Sequence, residues 1–241
     1  MEQRTFQIDS EWCIVYYPWR PSGFAVLVIG DRNQFVDQEG SYWLQHPGRL
    51  QILDYLKSAG YMMFSSNFYG SSWGCPKSVE LARELYLFVM KNEILNSRIH
   101  ILAEGSGALT AMKLMHEMKD AIRSAVFINP VLSLKKNMAK EKESKFFYKK
   151  WIKEVAQAYE METKECEKQI ESLAEYGPPI DIPLKIIHVI GTNDKEQYEY
   201  YRLLEENPGR ETMEIQYLLP EKRYKIPHQI EHFCKKYEEI L

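Results

Sequence analysis

Three residue types that together perform nucleophilic catalysis stand in order along this chain: Ser106, Asp194 and His228. A serine hydroxyl attacks poorly until a histidine takes its proton. The histidine in turn needs a carboxylate to fix its tautomer and orientation. Serine, acid, histidine is one of the chain orders in which such triads occur. Each residue also has a plainer reading. Ser106 suits a helix N-cap, and Asp194 suits a loop or capping position. His228 suits a surface position at a helix start, and His232, one turn on, is a rival for the same role.

The surroundings of Ser106 decide how far this chemistry reaches. Arg98-Ile99-His100-Ile101-Leu102-Ala103-Glu104-Gly105-Ser106-Gly107-Ala108-Leu109 runs from an apolar strand through small residues into a helical pattern. That is the layout of a nucleophile elbow, which needs small residues two before and two after its apex. With Gly105 at the apex, the flanks are Ala103 and Gly107, both small. With Ser106 there, the flanks are Glu104 and Ala108, and Glu104 crowds the tightest part of the turn. Sterics favour Gly105. Glycine accepts positive φ without a steric cost, so it relieves the strain a serine bears at such a turn. The nucleophilic side chain is then missing, and Ser106 stands one residue late.

Two functional classes compete on this reading. In the first, the serine nucleophile is lost, and the residual pocket binds a small molecule or a partner. In the second, the chain is an active hydrolase of esters, thioesters or amides that uses Ser106, Asp194 and His228. Both use the same anion-holding groups. Gly30, Asp31 and Arg32 follow an early apolar run, where a loop supplies one backbone N–H of an oxyanion hole. The residue after the apex supplies the second, which with Gly105 at the apex is the Ser106 N–H.

The elements that position these groups are legible as an alternation. A hairpin is expected around Asp9-Ser10-Glu11. Phe24 to Ile29 is apolar throughout, as in a strand covered on both faces. Helical spacing over 50–58 ends before Gly60, and a short apolar run follows over 61–65. Helices are expected over 79–90 and 109–118, with strands at 99–102 and 124–128. Residues 134–176 carry no strand signal and read as a helical cap inserted between strands. They are rich in lysine (135, 136, 140, 142, 145, 149, 150, 153), with Phe146, Phe147, Tyr148 and Trp151 among them. The lysines are interleaved with Glu141, Glu143 and Glu154, which makes a solvated helix face. Strands then return at 184–190 and 213–219, with helices over 198–204 and 230–241. The rhythm predicts a single α/β domain, a three-layer sandwich around a mostly parallel, doubly wound sheet.

With these motifs in place, the chain resembles the α/β-hydrolase family from about Phe24 to Leu241. Ile29-Gly30 followed by Asp31 is similar to the family's oxyanion loop. Asn67-Phe68-Tyr69-Gly70-Ser71-Ser72-Trp73-Gly74 is similar to its D-x-x-G-x-G-x-S loop. His188-Val189-Ile190-Gly191-Thr192-Asn193-Asp194 is similar to its acid motif, and Ala103-Glu104-Gly105-Ser106-Gly107 fills the elbow. The resemblance implies a serine hydrolase architecture with the site at the carboxyl ends of the strands, and a cap where 134–176 stands.

The totals set bounds. The length of 241 residues and 45% hydrophobic content suit one domain, and a net charge of −3 leaves no nucleic-acid footprint. No apolar run approaches the roughly 20 residues of a membrane-spanning helix. The first residues lack a signal-peptide core, and Cys13, Cys75, Cys166 and Cys234 are scattered. The expectation is a cytoplasmic protein without cofactor or metal, whose partner is a small-molecule ligand or substrate.

Overall fold

Two successive left-handed residues, Asp9 (φ 47°) and Ser10 (φ 62°), turn β1 (Gln3–Ile8) back onto β2 (Glu11–Tyr16). Positive φ at both central positions matches the right-handed twist of a two-residue hairpin. The structure is a computed structural model, and it describes residues 3–173, 177–179, 181–191, 195–206 and 212–238.

The remaining strands are β3 (Ala25–Ile29), β4 (Met62–Ser66), β5 (Ile99–Glu104), β6 (Ile122–Ile128), β7 (Leu184–Val189) and β8 (Met213–Leu218). They form one eight-stranded sheet in the order β1-β2-β4-β3-β5-β6-β7-β8. β2 is antiparallel to β1 and β4, and every later pairing is parallel. Every residue of β3 to β7 is buried, which is why their sequences do not alternate.

Helices cover both faces. α1 (Tyr42–Gln45), α2 (Pro47–Ser58) and α9 (Ile226–Lys235) lie on one, where Leu53, Leu56, Ile230 and Phe233 pack on Val26, Val28 and Leu102. α3 (Pro76–Asn92), α4 (Gly107–Glu117) and α8 (Lys195–Glu205) lie on the other, where Leu85, Leu114 and Tyr201 meet Leu27, Ile101 and Ile186. The result is the expected three-layer α/β sandwich. Between β6 and β7 come α5 (Leu134–Lys142), α6 (Lys145–Ala158) and α7 (Thr163–Ser172). Trp151, Val155 and Ile170 tie these helices into the core on the α4 side, while Phe146 and Phe147 stay exposed. Residues 174–176, counted in the inserted segment from sequence, lie outside the described residues.

One boundary moves. The last helix begins at Ile226 rather than Ile230, after a tight helical turn over Pro220–Lys225. Pro227 sits in its first turn, where the missing N–H has no helical partner to lose. No described helix is long and apolar enough to cross a membrane.

Candidate functional site

The turn from β5 into α4 has a single left-handed residue, Gly105 (φ 53°), whereas Ser106 is right-handed (φ −67°, ψ −21°). The turn is sewn to the end of β6: the Gly105 N–H donates to Ile128 O (3.0 Å), and the Val131 N–H donates to Gly105 O (2.8 Å). The small flanks have a steric basis. A Cβ on Gly107 would overlap the carbonyl oxygens of Ile29 and Gly30, and Ala103 is fully buried. Glycine at 107 therefore lets α4 approach the end of β3.

The space beside Gly105 is occupied. A Cβ built there would overlap the carboxyl carbon and both carboxylate oxygens of Asp31, which follows β3 by two residues. Asp31 Oδ1 accepts from the Ser106 N–H (2.8 Å), the Ser106 O–H (2.8 Å) and the Arg32 N–H (2.8 Å). The Arg32 N–H also donates to Ser106 Oγ (3.0 Å). Two backbone donors, one from the loop after β3 and one from the start of α4, thus converge on a single carboxylate oxygen. Such charge-assisted bonds are roughly twice as strong as neutral ones, and the positive end of α4 favours the anion further. From sequence, Asp31 and Arg32 enter only through their backbone. In the structure the Asp31 side chain is the acceptor and the Arg32 N–H a donor.

Behind the turn lies a network that no motif announces. Glu104, 8% exposed at its side chain, is held in a forked ion pair by Arg49 of α2, with Nε to Oε2 at 3.1 Å. Gln34 Nε2 donates to the same Oε2 (2.7 Å), and Trp43 Nε1 donates to Gln34 Oε1 (2.6 Å). Arg49 is 55 residues away from its partner, so no local spacing betrays the pair.

The remaining sequence candidates fall elsewhere. Asp194 lies outside the described residues. His228 is exposed on α9, its ring stacked on His232 at 6.0 Å and 5°. Among the described residues, the hydrogen-bond partners of Ser106 Oγ are Asp31 and Arg32, and neither histidine is one of them. Gly30 follows β3 and borders, with Asp31, Gln34, Ser65, Ser66 and Ser72, a polar pocket of about 10 Å³. That is close to the least space a single water needs. Arg32 reaches the other way, over the Trp73 ring (5.6 Å) and toward Glu154 of α6 (3.8 Å). Among the described residues, no group of three or more His, Cys, Asp or Glu is placed to hold a metal ion.

Comparisons with known proteins agree at the level of architecture. No family sequence model and no curated protein sequence matches the chain. Solved structures do. Est1E from Butyrivibrio proteoclasticus superposes with a TM-score of 0.62 at 12% identity, covering 98% of each chain. An esterase of Pyrococcus furiosus gives 0.65 at 17% identity, covering 99% of this chain and 92% of its own. A Xanthomonas campestris protein described as an α/β serine hydrolase without lid gives 0.64 at 10% identity, covering 100% and 97%. The eight-stranded, mostly parallel sheet with helices on both faces is that of the α/β-hydrolase fold.

Proposed function

We propose that this is a hydrolase-like protein that has lost the serine nucleophile and acts by binding a small molecule or partner. The observation that carries the reading is the placement of Asp31. Its carboxylate fills the space a side chain at residue 105 would need, and its Oδ1 takes the Ser106 and Arg32 N–H groups. In an acyl-transfer enzyme such donors must be free to meet an oxyanion as it forms. Here an external oxyanion competes with a tethered one, whose effective concentration is of millimolar order or more. The Ser106 hydroxyl donates to the same carboxylate, and among the described residues no imidazole hydrogen-bonds to Ser106 Oγ.

Labelling with a fluorophosphonate probe tests the proposal. The purified protein is expected to show no covalent adduct by intact mass. Stoichiometric modification at Ser106, abolished by Ser106→Ala, would overturn it in favour of a Ser106-Asp194-His228 hydrolase.

A further inference from the structure

α4 presents Leu109, Met112, Lys113 and His116 at helical spacing to a cavity of about 460 Å³. Leu132, just before the insertion, lines it together with Leu134, Tyr159 and Leu173 of the insertion and with Trp73. This volume falls in the ~300–1,000 Å³ range of small-molecule sites. The cavity shares no lining residue with the small polar pocket beside Gly105.

Its walls are apolar, but its charged groups are unbalanced. Lys113 and Lys135 border it against a single carboxylate, Glu117. Lys113 is the telling member. Its ammonium has three N–H donors. One is directed to Gly74 O (2.5 Å) and one to Tyr159 Oη (3.2 Å). Among the described residues, no carboxylate lies within ion-pairing distance of Lys113 Nζ, although the chain's other ion pairs show how readily its lysines find one. Lys113 is exposed, so its ammonium stands at the mouth of the apolar cavity, where the head group of a ligand can meet it. Partial desolvation pulls the Lys113 ammonium below the ordinary lysine value, with Cys75 and Glu117 opposing the shift.

We propose that this cavity binds an apolar carboxylate, with its tail along Leu109, Met112, Leu132 and Leu134 and its head on Lys113. The site stands apart from the turn at Gly105 and holds whichever way the chemistry of Ser106 is decided.

Calorimetric titration with decanoate and with decanol, below their aggregation concentrations, tests it. Decanoate is expected to bind saturably at one site, at least about tenfold tighter than decanol. Lys113→Met removes that preference and leaves decanol unchanged. Met112→Trp fills the cavity and weakens both at least about tenfold. A brominated decanoate provides a measurement that does not depend on the Met112 variant folding. It is expected to quench tryptophan fluorescence, with most of the quenching lost in Trp73→Phe. The proposal is overturned if neither compound binds, or if decanol matches decanoate. It is equally overturned if a folded Met112→Trp protein binds normally, or if quenching survives Trp73→Phe.

Discussion

At residue 105 the backbone is left-handed, and the carboxylate of Asp31 lies where a side chain would start. Two separate penalties therefore oppose Gly105→Ser. One is the conformation, which costs of order 1–3 kcal/mol for a non-glycine residue in an unfavourable region. The other is overlap with Asp31, and this one is relieved by removing the carboxylate. Gly105→Ser alone is expected to lower stability by about 2–4 kcal/mol. Asp31→Gly with Gly105→Ser should recover about 1–3 kcal/mol of that, as coupling between touching residues does. Urea denaturation of the wild type, both single variants and the double variant measures the cycle. A coupling near zero would mean that Asp31 does not occupy the space. The steric reading of Ala103, Gly105 and Gly107 was available from the sequence, because an elbow restricts side chains within a few residues. The partnership of Gly105 with Asp31 was not, because it joins the ends of β3 and β5, which only the sheet brings together.

Elements are held to this turn by single long-range contacts. Arg49 fastens α2 to the end of β5 through Glu104, and the same face carries α9. Removing one partner leaves the other charge poorly compensated, which costs about 3–5 kcal/mol for a fully buried pair. Arg49 retains 28% side-chain exposure, so Arg49→Met is expected near the lower end, about 3 kcal/mol. Arg49→Met with Glu104→Met should be milder than Arg49→Met alone, because no charge is stranded. A double variant less stable than Arg49→Met would count against the pair as the link between α2 and β5. The strands and helices themselves were legible where burial on both faces or helical spacing leaves a periodic trace. Boundaries set by capping were less so. Apolar spacing placed the last helix at Ile230, but Pro227 allows it to start at Ile226. His228 consequently sits within the helix, on its exposed side, rather than in the loop before it.

For the molecule as a whole, the end of β5 opposite the elbow contributes to the response to acid. His100 is fully buried, with Nδ1 2.8 Å from Ser124 Oγ and its ring edge-on to Tyr61 at 6.1 Å. Burial, with Arg123 and Arg98 nearby, pushes its pKa down to about 3. Glu238 approaches Nε2 only to 4.0 Å, too far to offset the burial. In the unfolded chain the same imidazole takes a proton near its ordinary pKa of about 6.5. Between pH 6.5 and 3 the unfolded state therefore binds one proton more than the folded state at this residue. Stability must fall as pH drops through that window, by up to about 1.4 kcal/mol per pH unit from this group alone. His100→Gln removes the titrating group while keeping a side chain able to hydrogen-bond Ser124. Its stability, measured by urea denaturation between pH 4.5 and 7.5, is expected to be lower than wild type at pH 7.5. The gap should narrow or invert toward pH 4.5, because the variant lacks this part of the acid slope. Parallel curves for the two proteins across the window would show that His100 is not the group that couples folding to pH.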